Sequence, residues 1–208
     1  CRSAATCSMR RIVSMITNDA IEALEIVFAA LDDLGVRYYI GGSLASTAHG
    51  KGRMTQDADV VCDLNAEVVD STFDRLDANF YVSRKAIKSA VARRSCFNAI
   101  HKESFFKVDL FVAPADEYDQ QAFGRRERKS FRIGDEEHAF YVASAEDTIL
   151  AKLRWFRLGD EVSQTQWSDI QGVMAVKGPS LDSQYMQRWA RELDVLDLLE
   201  KAIGEARG

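Results

Sequence analysis

The sequence feature that most limits how this chain can fold is a pair of glycines that interrupts an apolar run. Residues 36–40 are mostly apolar or aromatic, which is typical of a buried strand. Gly41 and Gly42 break that strand, and Ser43 is well placed to begin a short helix. Residues 57–64 predict a second strand. The segment therefore predicts a strand, a glycine turn, a helix and a further strand.

Two aspartates lie at the start of the second strand. Residues two apart in a strand point to the same face, so Asp57 and Asp59 project together, about 7 Å apart at the backbone. Two carboxylates this close repel each other unless a proton or a divalent cation lies between them. Mg²⁺ suits such a pair because it prefers hard oxygen ligands and shares them with substrate phosphates. The pair therefore predicts a magnesium site.

A third aspartate, Asp109, lies in an otherwise apolar run with Val108, Leu110 and Phe111. Burying a carboxylate among such residues is costly unless it has a partner. A neighbouring metal would be such a partner, and three aspartates on two adjacent strands could hold two metal ions. An ion pair with Lys107 or with a distant arginine is the alternative explanation.

The glycine turn supplies the complementary part of a nucleotide site. Gly41 and Gly42 allow the backbone to approach a phosphate closely. Ser43 opens a helix whose free N–H groups and positive dipole end favour an anion. A triphosphate at this turn would meet a cation held by Asp57 and Asp59. The alternatives are a tight turn without a ligand and a pair of aspartates that simply faces solvent.

The character of the chain changes near residue 143. Before that point, helices are predicted at residues 18–34, 66–77 and 84–93, and Asn18 is the predicted cap of the first. Further strands are predicted at residues 80–83, 96–101, 104–112, 128–133 and 139–142, with a turn at 134–136. After it, apolar residues recur at helical spacing through about four helices. The pattern predicts an α+β fold. It has a mixed β-sheet lobe with flanking helices (16–143) and a helical C-terminal lobe (144–208).

Composition adds mainly exclusions. The net charge of −5 argues against a protein that coats nucleic acid, and no apolar run reaches the roughly 18 to 20 residues of a membrane span. Residues 1–15 are expected to be disordered or vector-derived, because the chain does not begin with Met. The cysteines show no zinc or CxxC spacing, which favours the cytoplasm. We expect core positions for Cys62, Cys96, Trp155, Trp167 and Trp189.

Together these motifs resemble a known family. The chain is similar to the nucleotidyltransferase superfamily in Tyr39-Ile40-Gly41-Gly42-Ser43, in Asp57-Ala58-Asp59-Val60 and in the isolated Asp109. It resembles more closely the AbiEii-type group, bacterial nucleotidyltransferases that are often toxins of toxin–antitoxin pairs. That closer similarity lies in the segments Arg53–Asp59, Glu146–Leu153 and Trp167–Ile170.

The resemblance implies a nucleotidyltransferase-type fold and a reaction. A nucleoside monophosphate would move from a nucleoside triphosphate to RNA such as tRNA, to a protein or to a small molecule, with Mg²⁺ or Mn²⁺ as cofactor and an antitoxin protein as a partner. The catalytic and metal-binding residues would be Asp57, Asp59 and Asp109, and the nucleotide-binding residues Gly42, Ser43, Arg53 and Lys152. The alternative function is a non-catalytic module of the same fold that binds a nucleotide or a partner.

Plain structural roles are open for several of these residues. Lys152 lies at the margin of an apolar helix stripe, so it either presents its ammonium to a cleft or pairs with nearby acids. Arg53 is either a phosphate contact or surface charge. Asp169 is expected to form a salt bridge within the helical lobe. The basic runs 84–94 and 125–132 would either guide an RNA acceptor or serve as solvated charge.

Overall fold

The computed structural model describes residues 16–50, 52–133 and 135–207. Within these ranges the chain forms seven strands and nine α-helices. The strands are β1 (Tyr38–Ile40), β2 (Asp57–Cys62), β3 (Phe80–Tyr81), β4 (Cys96–His101), β5 (Lys107–Val112), β6 (Glu127–Ile133) and β7 (Glu136–Val142). The helices are α1 (Asn18–Asp33), α2 (Gly42–His49), α3 (Val69–Leu76), α4 (Arg84–Arg93), α5 (Glu117–Arg125), α6 (Ala145–Leu158), α7 (Gln164–Lys177), α8 (Ser183–Glu192) and α9 (Leu196–Arg207).

The strands make one mixed sheet in the order β3-β4-β5-β2-β1-β7-β6. Strand β2 pairs antiparallel with β1 and parallel with β5, and β1 pairs parallel with β7. The C-terminal part, from α6 to α9, is helical. The predicted α+β class, a mixed sheet with flanking helices followed by a helical C-terminal region, is confirmed.

Helix α1 begins one residue earlier than the sequence predicts. Thr17 is the N-cap, and its side-chain oxygen accepts a hydrogen bond from the backbone N–H of Ala20 at 3.2 Å. The prediction of Asn18 as the cap is therefore wrong, because Asn18 already belongs to the helix. Leu24 and Leu31, on the apolar stripe, are fully buried, so the predicted face of the helix does pack against the sheet.

Helix α5 is absent from the sequence prediction. Asp116 caps it by accepting a hydrogen bond from the backbone N–H of Asp119 at 2.9 Å. Its buried face is narrow, with Tyr118, Ala122 and Phe123 as its apolar members. Charged and amide residues surround these three, so the helical period is hard to detect in the sequence.

Two expectations about core residues are wrong. Cys62 is buried, but Cys96 is exposed because it lies on the open face of β4, where alternate residues face away from the core. Trp189 is buried, whereas the Trp155 side chain on α6 is 52% exposed and has its ring edge-on to Phe111, with ring centroids 5.9 Å apart. Trp155 therefore lies on the outer surface of its helix.

Buried apolar side chains form two clusters. One belongs to the sheet and its helices and extends to Ala143, and the other is built by α6 to α9 together with Tyr118. Helix α2 packs on α6 and α7 and so joins the two. At the end of α2, His49 Nε2 is hydrogen-bonded to the carbonyl oxygen of Ala143 at 2.7 Å. The division of the chain into lobes at residue 143 stays a prediction.

Two predictions fall outside the described residues. They concern the segment 1–15 and Gly134, the first residue of the predicted turn between β6 and β7. In the part of the chain that is described, no helix is both long enough and apolar enough to cross a membrane.

The buried carboxylate of Asp119 predicts a pH-dependent stability. Burial, and then the neighbouring Asp116, raise the pKa of Asp119 to about 7. The folded-state pKa therefore lies above the unfolded value near 4. The stability that the protonated Asp119 carboxyl contributes is therefore fully present below the unfolded pKa. It is lost as pH rises through the folded pKa. An asparagine resembles the protonated carboxyl, so the free energy of unfolding of Asp119→Asn should rise relative to wild type between about pH 4 and pH 7.

Urea unfolding across this pH range measures the effect. The exposed Asp19 on α1 provides Asp19→Asn as a control for the loss of one negative charge. A difference between Asp119→Asn and wild type that stays constant with pH would contradict the prediction.

Candidate active site

Strand β2 carries the two aspartates on its open face. Its residues alternate between partly exposed and buried, so Asp57 and Asp59 face away from Ala58 and Val60. The Thr55 hydroxyl donates a hydrogen bond to Asp57 Oδ1 at 2.9 Å. The strand therefore presents two carboxylates to the same space, and Thr55, two residues before the strand begins, orients the first of them.

Strand β5 brings the third carboxylate beside them. Asp109 is the register partner of Asp59, and Lys107 is the register partner of Asp57. The Lys107 ammonium lies 2.7 Å from Asp109 Oδ2 and 3.7 Å from Asp57 Oδ2. Asn98 on β4, opposite Asp109, donates a hydrogen bond to Asp109 Oδ1. The ion pair between Asp109 and Lys107 that the sequence left open is thus present, within a set that also includes Asp57.

Positive charge close to the three carboxylates is favourable in this site. Burial, and then the carboxylates of Asp57 and Asp109, raise the pKa of Asp59. The hydrogen bond to Asp109 raises the pKa of Lys107, which keeps its ammonium charged. The burial and the repulsion that raise this pKa both favour a positive charge close to Asp59.

A magnesium ion fits the oxygens that are present. Across the described ranges, no group of three or more His, Cys, Asp or Glu side chains is arranged to hold a metal ion by itself. Mg²⁺, however, is commonly bound by one or two carboxylates, with water and substrate phosphates completing its coordination. Asp57 and Asp59 supply that number of hard oxygen ligands, and the raised pKa of Asp59 marks a need for a cation.

Gly42 leaves space for a side chain of the neighbouring strand, in addition to opening α2. Its φ is +52°, and a Cβ added to it would lie 1.7 Å from Asp59 Oδ2. The carboxylate of Asp59 therefore rests directly against the Gly42 backbone. The preceding Gly41 N–H donates a hydrogen bond to the Asp59 carbonyl oxygen at 2.8 Å. Gly42 thus makes room for the Asp59 side chain at the start of α2.

Ser43, Arg53 and Lys152 are connected through Asp169. Arg53 Nη2 donates a hydrogen bond to Ser43 Oγ, and Arg53 Nε donates to Asp169 Oδ1 at 3.3 Å. Lys152 Nζ donates to Asp169 Oδ2 at 2.8 Å and to Gln166 Oε1 at 2.9 Å. Asp169 makes the expected salt bridge in the helical region. It also reaches Arg53, which follows α2, and so links α7 to the glycine turn.

The two cations of this network differ in exposure. The Lys152 side chain is 5% exposed, whereas the Arg53 side chain is 40% exposed. Lys152 is therefore a buried, paired lysine, although its charge still lowers the pKa of Asp59. The exposed side of Arg53 is open to a ligand. The structure thus brings Arg53 beside Ser43, and it buries Lys152 against Asp169.

Three members of this site have no functional role in the sequence-based predictions: Lys107, Asn98 and Asp169. Lys107 stands two residues before Asp109, so strand alternation alone places both on one face. Asn98 depends on the register between β4 and β5, which the sequence does not reveal.

Much of the positive charge in the basic runs is paired internally. Arg84 contacts Asp70 and Asp74. In the second run, Arg125 lies against Glu146 and Asp147 on α6, and Lys129 lies against Glu127. Several of these side chains therefore neutralise acids of the same chain.

Comparison with known proteins identifies the fold. No family model matches the sequence, and no curated protein matches it. Among solved structures, the chain is similar to ANT(2'')-Ia in complex with adenylyl-2''-tobramycin, with a TM-score of 0.50, 11% identity, and coverage of 85% of this chain and 98% of that one. It is also similar to the lincomycin-bound lincosamide adenylyltransferase LnuA (TM-score 0.49, 13% identity, 77% and 98% covered). A further match is an antigenic nucleotidyltransferase-like protein from Paracoccidioides brasiliensis (0.49, 15%, 91% and 94%).

The fold class follows from this similarity and from the sheet topology. The chain has the nucleotidyltransferase fold, as its motifs predict. At these identities the similarity concerns the fold alone.

The contact between Gly42 and Asp59 can be tested with a matched pair of glycines. Gly35 also has a positive φ, of +65°, but an added Cβ there meets nothing within 4 Å. Gly35→Ala should cost only the left-handed backbone conformation, about 1–2 kcal/mol in the free energy of unfolding. Gly42→Ala should cost more, because Asp59 must move. It should also weaken Mn²⁺ binding, which Gly35→Ala should leave unchanged. Equal effects on both measurements would contradict the proposed contact.

The buried pair of Asp169 and Lys152 predicts strong thermodynamic coupling. Asp169→Ala leaves a buried ammonium without its carboxylate and should lower the free energy of unfolding by about 3 kcal/mol. Lys152→Met in the same chain should restore most of that loss, because the uncompensated charge is gone. Urea unfolding of the single and double variants gives the coupling energy.

The exposed pair of Asp197 and Arg157 is the control. There Asp197→Ala should cost less than about 1 kcal/mol. If the effects of Asp169→Ala and Lys152→Met were simply additive, the buried pair would not be coupled as described.

Proposed function

We propose that this chain is a Mg²⁺-dependent nucleotidyltransferase. The observation that supports it is the arrangement of Asp57, Asp59 and Asp109 on two adjacent strands, with Asp59 resting on Gly42 at the start of α2. This arrangement places a cation-demanding carboxylate set beside the free N–H groups of a helix N-terminus. A metal-bound triphosphate is a substrate that satisfies both.

The reaction transfers a nucleoside monophosphate. An acceptor hydroxyl oxygen forms a bond to the α-phosphorus, the bond from that phosphorus to the β-bridging oxygen breaks, and pyrophosphate leaves. The hydroxyl proton passes to one of the site carboxylates. The protein acts mainly by positioning the two reactants and by stabilising charge.

Each of the predicted site residues has a place in this proposal. Asp57 and Asp59 hold Mg²⁺, which supplies positive charge to the triphosphate when bound. Asp109 completes the carboxylate set. Gly42 and Ser43 offer the N-terminus of α2 to a phosphate, and the exposed side of Arg53 adds a charged contact.

Lys152 contributes to this site from behind. Its ammonium is 5% exposed and paired with Asp169, so it acts through its charge on Asp59 and through the network that holds Arg53. We propose this indirect role in place of a direct contact with the triphosphate.

The acceptor is proposed at the level of chemical class. The adenylyl-tobramycin in the ANT(2'')-Ia structure favours ATP and a small-molecule hydroxyl as substrates. The sequence similarity to the AbiEii-type group favours instead an RNA such as tRNA, or a protein, as acceptor, together with a cytoplasmic toxin that an antitoxin protein neutralises. Pairing of Arg84 and Arg125 with acids of the same chain reduces the charge available for RNA.

A second candidate function is a non-catalytic module that binds a nucleotide or a partner. The specific observation in its favour is the ion pair between Lys107 and Asp109, which already neutralises part of the carboxylate set. Transfer activity separates the two functions, because a module binds nucleotide with Mg²⁺ but transfers nothing.

Replacement of both β2 aspartates tests the catalytic proposal. Asp57→Asn with Asp59→Asn removes two negative charges at nearly constant volume, so Mg²⁺-dependent nucleotide binding should be lost. Transfer should fall at least about a hundredfold, as it does when preorganised charge stabilisation is removed. The assay offers each labelled nucleoside triphosphate with total RNA and, separately, with a panel of aminoglycosides.

Asp63→Asn is the matched control, since Asp63 follows β2 and pairs with Arg37 away from the carboxylate set. Nucleotide binding without transfer by the wild type to any acceptor would favour the module. Unchanged binding and transfer in the double variant would exclude the catalytic role of these aspartates. Growth of a bacterial host that expresses each variant tests the toxin assignment, because harmless expression of the wild type would contradict it.

A further inference from the structure

Lys107 lies between carboxylates of both site strands. It starts on the same face of β5 as Asp109, two residues away, and it is the register partner of Asp57 on β2. Its Nζ is 2.7 Å from Asp109 Oδ2 and 3.7 Å from Asp57 Oδ2. One ammonium thus contacts an oxygen from each strand, which is the position that a bridging cation would take.

The three aspartates are engaged to different degrees. Both oxygens of Asp109 have partners, since Oδ2 meets Lys107 and Oδ1 accepts a hydrogen bond from Asn98. In contrast, no side chain or backbone group of the described ranges donates a hydrogen bond to the carboxylate of Asp59, which rests on Gly42. A metal ion therefore finds the Asp59 oxygens without a donor and Asp57 Oδ2 only in the 3.7 Å contact with Lys107, whereas it would have to displace Lys107 or Asn98 to bind Asp109.

The charges of the set lead to the same result. Three carboxylates carry three negative charges, and the Lys107 ammonium offsets one of them, which leaves the charge that a single divalent cation neutralises. A second divalent ion in the same space would have to overcome repulsion from the ammonium at close range.

We propose that the site takes one divalent cation, on Asp57 and Asp59, and that the Lys107 ammonium supplies the second positive charge and holds Asp109 in place. This inference rests on the proposed function and narrows it, because three aspartates on two strands otherwise suggest two metal ions. Lys107 is accordingly a positioning residue. Its side chain is 40% exposed, so its replacement need not disturb the core.

Counting bound Mn²⁺ tests the proposal without an activity assay. The electron paramagnetic resonance signal of free Mn²⁺ gives the number of ions bound per chain. It is measured with Mn²⁺ alone and with the four α,β-methylene nucleoside triphosphate analogues, which cannot donate a nucleotide. Wild type should bind one ion under both conditions. Lys107→Met should either bind a second ion or bind the first about tenfold more tightly, the lower end of the effect that a neighbouring charge has on a carboxylate's affinity for a proton.

Two further variants separate charge from side-chain loss. Lys107→Arg keeps the positive charge and should bind one ion like the wild type. Lys88→Met removes an exposed lysine of α4 and should also match it. Urea unfolding confirms that Lys107→Met remains folded before its ions are counted.

The remaining outcomes overturn the proposal in distinguishable ways. Two ions on the wild type with the analogues, or the same number and affinity for wild type and Lys107→Met, would refute the single-cation site and leave the transferase proposal intact. No more Mn²⁺ on wild type than on Asp57→Asn with Asp59→Asn would refute the metal site itself, and the proposed function with it.

Discussion

Like-charge repulsion between three aspartates on two adjacent strands is the constraint around which this site is arranged. The parallel pairing of β2 with β5 sets Asp59 opposite Asp109, with Asp57 two residues away on the same face. Such a set is unfavourable in the folded chain unless positive charge is close. Lys107 approaches it from β5 and Lys152 acts on it from α6. The folded site thus keeps an excess of negative charge, because these two lysines offset only part of the repulsion between the aspartates.

Space is the second constraint, and it depends on the first. The Asp59 carboxylate lies so close to the chain at Gly42 that a side chain there would overlap it. The same glycine has a positive φ and begins α2, so the carboxylate and the helix N-terminus are next to each other. A negative carboxylate beside the positive end of a helix is itself favourable. One backbone conformation therefore supports both the metal ligand and the phosphate-binding end.

The sequence predicted the parts of the site that depend on local rules. Strand alternation placed Asp57 and Asp59 on one face, and the glycine break placed α2 between β1 and β2. The neighbours across strands could not be derived in this way. The pairing of Asp59 with Asp109 joins strands that are separated in the chain by α3, β3, α4 and β4. The contact of Arg53 with Asp169 spans 116 residues. Helix α5 was missed because charged and amide residues surround its few apolar positions. The exposure of Trp155 was missed because the helix around it has an apolar period, which does not show that this one residue faces outward.

Lys152 and Lys107 offset the charge of the aspartates in different ways, because one is buried and the other is exposed. Lys152 is enclosed, with Asp169 and Gln166 as fixed partners, so its charge is a permanent part of the site's field. Lys107 is 40% exposed and forms its ion pair with Asp109 of the carboxylate set itself, so a substrate or an ion approaching the open face meets it directly. The electrostatic field that Lys152 adds to the site therefore depends on the folding of α6 and α7. The exposed lysine instead determines how much of the carboxylate charge remains for an incoming cation. A substitution at Lys152 should accordingly be felt first in stability, and one at Lys107 first in the affinity for metal.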